Sequence, residues 1–228
     1  MLERAALSVI LPVLNEAGAI EAALQALAPL RARGAELILV DGGSGDATAH
    51  LAHGLAQRVL RADRGRAHQM NAGAGAASAD VLLFLHADTR LPAAALDLIL
   101  DGLQASHRVW GRFDVRISGD TWLLKAVAAC MNLRSRATGI ATGDQAMFVR
   151  RADFLAVGGY PLLPLMEDIE LSRRLKRRSK PLCLRQYVTT SGRRWQACGV
   201  WRTIILMWRL RLLYWLGVSA EKLAKEYR

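Results

Sequence analysis

The stretch Val81–Thr89, VLLFLHADT, decides the fold. Five apolar residues in a row give way at once to polar chemistry. A short apolar run bounded by turn signals suits the centre of a parallel sheet. Asp80 before the run and Pro92 after it favour a strand over a buried helix segment, and the strand is predicted over 80–88. In such a strand His86 and Asp88 point the same way, because side chains alternate with period two. Ligands of open α/β sheets gather just outside the carboxyl ends of the strands. A carboxylate there can hold a divalent cation against a phosphate. The competing role for Asp88 is to cap the helix predicted over 93–106.

Working outward, the same alternation of element types recurs. Leu7–Val13 reads as a first strand and Ala19–Arg33 as a helix, with Pro29 marking a break and Gly34 a stop. Ala35–Val40 is a second strand that runs into Asp41 and the turn Gly42–Asp46, where Asp46 can cap a helix reaching Leu55. Arg58–Ala62 is a short third strand, and the Ala- and Gly-rich segment Arg66–Ser78 a helix. Strand and helix alternating with short connections are the signature of a parallel, doubly wound sheet. Further on, strands are predicted over Val109–Ile117 and Gln145–Arg150, and helices over Asp120–Arg136 and Glu167–Arg178. In Val200–Val218, Trp201, Ile205, Trp208, Leu212 and Trp215 share one side of a helical wheel. Arg202 and Arg209 flank that side on one edge and Arg211 on the other, an amphipathic pattern rather than a spanning one.

The chain has 228 residues and a formal net charge of +11, unevenly spread. Residues 1–172 carry 16 basic and 18 acidic residues, whereas 173–228 carry 15 basic and 2 acidic. Such a basic block favours anions: diphosphates, nucleic acid or an anionic membrane surface. Cys130, Cys183 and Cys198 show neither a CxxC nor metal-ligand spacing, which suits a reducing compartment. No signal peptide is evident, and no apolar run approaches the roughly 18 residues of a spanning helix. A cytoplasmic enzyme is expected, with peripheral contact at the inner membrane surface or a homodimer formed through the last helix.

The three strand ends carry the chemistry. The first ends in Pro12-Val13-Leu14-Asn15-Glu16, the second in Asp41-Gly42-Gly43-Ser44-Gly45-Asp46, the fourth in His86-Ala87-Asp88. All should converge on one rim, and a purely structural sheet has no need of carboxylates and amides there. A nucleotide has: acidic groups accept from a base or ribose, and a metal screens a diphosphate. No GxGxxG occupies a first βα turn and no GxxxxGK[ST] occurs, so a dehydrogenase and a P-loop NTPase are disfavoured.

Six segments in order, SVILPVLNE, ILVDGGSGDAT, RGRAHQMNAG, LLFLHADT, GDQAMFVRR and PLMEDIELSRRL, resemble the family 2 glycosyltransferases of GT-A fold. The resemblance runs from about Leu7 to Arg178. It implies an α/β, Rossmann-like, mostly parallel sheet flanked by helices, a nucleotide-sugar donor, commonly a UDP-sugar, and inversion at the anomeric carbon. It assigns Pro12, Asn15, Glu16 and Asp41 to the nucleoside pocket, and Gly65, Arg66, Gln69 and Asn71 to the donor site. Asp88 matches the second carboxylate of the DxD motif that ligates Mn²⁺ or Mg²⁺, with His86 and Ala87 in the preceding positions. His86 departs from the usual Asp. Glu167-Asp168 matches the family's ED motif, whose Asp is the expected general base, with Glu167 and Asp144 as alternatives. A narrower resemblance, through RGR-x-x-QMNAG, FLHADT, GDQ-x-MF and the SGRRW…GV…YWLGVSAEKLAKEYR tail, is to a bacterial subgroup labelled arsenosugar-biosynthesis glycosyltransferases.

The expected organisation is a glycosyltransferase domain over 1–190, with a nucleotide-binding half (1–106) and an acceptor half (107–190). A basic, amphipathic helical appendage over 191–228 completes it, where Arg193, Arg194 and Trp195 can bind the leaving diphosphate. The acceptor is expected to be a small or lipid-linked hydroxyl compound. Two other classes compete. A sugar-phosphate nucleotidyltransferase would want a Gly-rich basic loop where LPVLNEAGAIEAA stands. An anion- or membrane-binding protein would rest on the basic tail alone. Nucleic acid is not an expected partner, because acidic strand ends repel a polyanion and no nucleic-acid-binding motif is present.

Overall fold

The structure is a computed structural model that describes residues 5–119 and 121–227, without the side chains of Arg194 and Cys198. Asp120, the predicted start of a helix, therefore lies outside the described residues. In chain order the elements are β1 (Leu7–Val13), α1 (Ile20–Ala26), α2 (Ala28–Ala32), β2 (Ala35–Asp41), α3 (Thr48–Ala52), β3 (Arg58–Arg61), α4 (Arg66–Ala76), β4 (Val81–Phe84) and α5 (Ala95–Ser106). There follow β5 (Trp110–Ile117), α6 (Trp122–Thr138), a 3₁₀ turn (Gly143–Gln145), β6 (Phe148–Arg150), α7 (Arg151–Ala156) and α8 (Glu167–Lys176). The chain closes with β7 (Leu182–Thr190), α9 (Arg193–Cys198), α10 (Val200–Trp215) and α11 (Ala220–Tyr227).

Seven strands form one sheet in the order β3-β2-β1-β4-β6-β5-β7. β1 to β4 run parallel, β6 is antiparallel to both β4 and β5, and β7 is parallel to β5. The period of two sorts the strand side chains into two cores. Leu7, Val9, Leu11 and Val13 of β1, with Leu37, Leu39 and Leu83, pack on one face against α1, α5 and α6. Ile10, Ile38, Val40, Leu82 and Phe84 pack on the other, against α4, Phe154, Tyr160 and the apolar stripe of α8. Both faces are covered, which is why these strands read as nearly continuous apolar runs. Gly73 lets α4 lie on β1: a Cβ there would run into Ile10 and Val40.

The helix predicted over 19–33 is two helices, broken at Leu27, with Pro29 in the first turn of α2 where its missing N–H costs nothing. The strand predicted over 145–150 begins only at Phe148, because Gly143–Gln145 closes as a 3₁₀ turn. β4 stops at Phe84, four residues before the predicted end at Asp88. The Leu85 N–H still donates to Ile10 O at 3.0 Å, but the Thr89 N–H then turns back onto His86 O at 3.0 Å. A turn, not a pleat, therefore orients His86 and Asp88, and the period-two argument does not hold for them.

Among the described residues no helix is long and apolar enough to cross a membrane. α10 and α11 pack on each other and on the segment before α8 through a third, small core. Met166, Leu210 and Leu223 are buried in it, with Leu206, Met207, Tyr214 and Ile169 around them.

Candidate active-site cleft

A cavity of about 440 Å³ opens over the carboxyl ends of β1, β4 and β7. Its walls come from Pro12, Val13, Leu14 and Glu16 after β1, Gly65, Arg66 and Gln69 at the start of α4, and His86, Ala87 and Asp88 after β4. Asp144 from the 3₁₀ turn, Trp195 from α9, and Thr203, Met207 and Tyr227 from α10 and α11 complete it. Nine of the residues expected to bind donor or metal thus line one cleft, and Asp144 joins them.

Other expected donor residues sit beside the cleft and are committed to shaping it. Asn15 has φ +54°; its N–H donates to Ser44 Oγ and its Oδ1 accepts from Gly45 N–H, both at 2.9 Å. Asp41 accepts from Gly43 N–H at 3.1 Å, from Ser44 N–H at 3.0 Å and from the Ser44 hydroxyl, folding the glycine-rich turn around its own carboxylate. These bonds weld the β1 and β2 loops together. Neither side chain lines the cavity. Gln69, which does, uses its amide to donate to Val13 O at 2.7 Å and Val40 O at 2.8 Å, tying two strand ends to α4.

Asn71 is also outside the cavity. Its amide donates to Tyr160 O at 2.8 Å and accepts from Tyr160 N–H at 2.9 Å, a two-bond clamp on the loop leading toward α8. Gly159 (φ +67°) makes that approach feasible, since a Cβ would come within 2.7 Å of Asn71 Oδ1. Arg193 reaches across the rim, its guanidinium 3.9 Å from Glu16. The side chain of Arg194 lies outside the described residues.

A smaller hollow of about 90 Å³ adjoins the cleft and shares Arg66, His86, Asp144, Met207 and Tyr227 with it. Glu167 and Asp168 line this hollow at the N-terminus of α8. Met166 before them takes φ +69°, a left-handed conformation rare for a branchless apolar side chain, and so aims the first turn inward. Asp168 accepts from Gly143 N–H at 3.0 Å and from Ile169 N–H at 2.7 Å. Glu167 is only 6% exposed. Burial, and then the charge of Asp168, push its pKa up to about 7 against the opposing pull of Arg66. Burial likewise raises Asp168, opposed by its two backbone donors and by Arg66. Burial would lower the pKa of Arg66, but the surrounding field of Glu167, Asp144, Tyr227 and Asp168 outweighs it and raises it. A guanidinium held cationic thus shares the hollow with two carboxyls whose proton affinity burial raises, Glu167 to about 7.

His86 Nδ1 lies 3.5 Å from Asp144 Oδ1. The β4 loop and the 3₁₀ turn meet closely there, and a Cβ at Gly143 would sit 2.7 Å from the imidazole. Among the described residues no three His, Cys, Asp or Glu side chains come together as a metal cage. Asp88 with a ligand's phosphates fits the sparser pattern of Mg²⁺-type sites, which take one or two carboxylates and keep several waters. Arg134 of α6 has Nε and Nη2 buried without a protein hydrogen-bond partner, close enough to Asp168 to feel its charge.

Sequence reasoning missed Thr190, Ser191, Thr203, Met207 and Tyr227 in the cleft wall. Thr190 ends β7, and LCLRQYVTT carries the β-branched and aromatic residues that would have marked that strand. Tyr227 had no comparable signal: it reaches the cleft only because the small third core folds α11 back toward α8.

Residues 8–154 match the model of the family described as Glycosyl transferase family 2. The chain is 31% identical over 166 residues to proteins of Mycobacterium bovis and Mycobacterium tuberculosis named PGL/p-HBAD biosynthesis glycosyltransferase, covering 68% of this chain and 63% of theirs. It therefore spans less than two thirds of the length of those relatives. Among solved structures, S. aureus TarS 1–349 in complex with UDP-GlcNAc superposes with a TM-score of 0.65 at 17% identity, over 81% of this chain and 58% of that one. A Pyrobaculum calidifontis mannosyltransferase in complex with GDP-Man and Mn²⁺ gives 0.60 at 20% identity, over 82% and 57%. The shared architecture is the GT-A-like α/β fold.

Proposed function

The chain belongs to glycosyl transferase family 2, and from that premise we propose that it moves a sugar from a nucleotide-sugar, a UDP-sugar by family resemblance, to an acceptor hydroxyl with inversion. The observation that carries this reading is the joining of two hollows: a rim cavity with Asp88 on its wall, and an acid pocket holding Glu167 and Asp168, with Arg66 common to both. The first suits a diphosphate and the second an attacking hydroxyl. The complexes of solved relatives with UDP-GlcNAc and with GDP-Man and Mn²⁺ support the donor class.

In this reading Asp168 takes the proton of the acceptor hydroxyl as its oxygen bonds to the anomeric carbon. The bond from that carbon to the diphosphate breaks on the opposite face, and the nucleoside diphosphate leaves with the electron pair. Arg66, kept cationic by the surrounding carboxyls, offsets charge gathering on the diphosphate. Arg suits this because its planar fork can engage two phosphate oxygens. Asp88 would hold the Mn²⁺ or Mg²⁺, which would neutralise further diphosphate charge. His86 replaces the first carboxylate of the family motif and contacts Asp144 instead. Asn15, Asp41, Gln69 and Asn71 act indirectly, by holding the loops against which the donor rests.

The acceptor is a small or lipid-linked hydroxyl compound. The narrower likeness to the arsenosugar group rests on the RGR-x-x-QMNAG, FLHADT, GDQ-x-MF and tail motifs, and the mycobacterial relatives carry a different biosynthetic name. Thermal unfolding tests the reading. UDP with Mn²⁺ should raise the midpoint of the wild-type chain, and Asp88→Ala should abolish the metal-dependent part without lowering the unliganded midpoint. Failure of every nucleotide and nucleotide-sugar, with or without metal, to shift the wild-type midpoint would overturn it.

A further inference from the structure

α10 has two working faces. The inner one, with Met207, Leu210 and Arg211, lines the acid pocket. The outer one presents Trp201, Ile205, Trp208, Leu212 and Trp215 to solvent, with exposures from 57% at Leu212 to 81% at Trp215. These are the residues that share one side of the helical wheel, and none of the described residues covers them. Scattered apolar residues on a surface need no explanation, but five on one helix face do. Leu216 extends the strip, and Trp122 and Leu133 of the adjoining α6 are exposed as well.

The surroundings select the occupant. Arg202 and Arg209 are exposed along one edge of the strip, and Arg211 borders it on the pocket side. The segment from 173 onward has 15 basic and 2 acidic residues; Arg173, Arg174, Arg178, Arg193 and Arg209 pair with carboxylates within the chain, and the positive excess that remains beside the apolar strip selects an anionic, apolar partner. Tryptophans with arginines at the margin are what an interfacial helix needs: rings at the headgroup level, guanidinium groups on the phosphates. A second copy of this chain would set arginine against arginine in a two-fold contact across the same strip.

We infer that α10 lies in the headgroup region of an anionic phospholipid surface, outer face down, and so holds the mouth of the acid pocket at the bilayer. Resting on the transferase reading above, this delivers to Asp168 a hydroxyl carried on a lipid-anchored acceptor. The helix that touches lipid is also the helix that walls the pocket, so the acceptor need not leave the interface.

Flotation with phosphatidylcholine vesicles, with and without phosphatidylglycerol, tests the proposal on the intact chain. The protein should float with the anionic vesicles, its tryptophan emission shifting to the blue. The triple variant Trp201→Ser, Trp208→Ser, Trp215→Ser should stay at the bottom while its circular dichroism and UDP binding match wild type. Arg202→Glu with Arg209→Glu should weaken vesicle binding by about tenfold or more. No flotation on either vesicle, flotation indifferent to both variants, or sedimentation showing a dimer that the triple variant dissolves would each overturn it. UDP binding measured without lipid reports separately on the transferase reading, so the two can fail independently.

Discussion

The two walls of the cleft are built on opposite plans. The wall over β1, β2 and β4 is braced: Asn15 and Asp41 behind it and Gln69 on it give their hydrogen-bonding groups to neighbouring backbone and hold loops still. The wall around α8 holds charge at a cost: two adjacent carboxyls are buried and raised in pKa, with Asp168 fixed by two backbone N–H donors behind a left-handed Met166. The first wall resembles a mould and the second a reactive surface. Binding asks for groups that do not move, whereas proton transfer asks for groups whose charge is costly to keep.

The sharpest way to break this contrast is at Asp168. Asp168→Asn should keep UDP affinity and lose sugar transfer by about a hundredfold or more, the usual size of a general-base loss. Near wild-type transfer by that variant, with loss in Glu167→Gln or Asp144→Asn, would move the base to another residue of the same wall.

Asn71 tests the mould. Removing its side chain breaks both bonds to the Tyr160 backbone, so Asn71→Ala should cost about 1–3 kcal/mol of stability, read in a urea titration. Transfer should fall less than in Asp168→Asn, because no reacting group is touched. A variant as stable as wild type would mean that the loop is held by the Phe84–Phe154–Tyr160 ring cluster alone.

A smaller effect separates the walls by pH. Glu167 has a folded pKa near 7, above the ordinary carboxylate value of about 4.3 that it regains on unfolding. The folded state therefore holds this proton to higher pH, and Glu167 destabilises the fold progressively as pH climbs from about 4.3 to about 7. Glu167→Gln removes that dependence. Its midpoint relative to wild type should rise as the pH goes from 4 to 8. Glu36, at the amino end of β2 and away from the cleft, should behave oppositely. Burial would raise its pKa, but bonds from Ser8, Ser78 and Ala79 outweigh that and lower it, so its contribution is lost as pH falls through the folded value. A constant difference between Glu167→Gln and wild type across this range would remove the electrostatic account.

The smallest expected effect is at the rim. The Arg193–Glu16 pair is long and open to solvent, so Arg193→Ala should change stability by less than about 1 kcal/mol. A larger loss would show that the two walls are tied across the cleft mouth.

The mould was largely legible in the sequence because it is local. Nearly continuous apolar runs that give way to polar residues announce β1, β2 and β4, and their alternation with helices announces a parallel sheet. Even there, strand periodicity carried too far past Phe84, since nothing in FLHADT says where the pleat gives way to a turn. The reactive wall was legible only in part. Glu167 and Asp168 stood out as a motif, but their neighbours come from α4, the 3₁₀ turn, α10 and α11, which tertiary packing alone brings together. Arg211 looked like one more flanking charge on a wheel; the fold turns it toward the acid pocket.

One strand has a consequence in time. β6 fills the place between β4 and β5, so the free edge of β4 waits for a partner that lies 64 residues further along, from Phe84 to Phe148. During synthesis at about 5–20 residues per second, that edge stays open for roughly 3–13 s after it is made. VLLF has no charge to deter pairing with a neighbouring chain. The strand that sets Asp88 beside the cleft is thus also an adhesive edge of the newborn chain. Arrested chains ending near residue 140 should aggregate where chains ending past β7 do not. Equal solubility of the two would show that α4 and α5 shield the edge before β6 arrives.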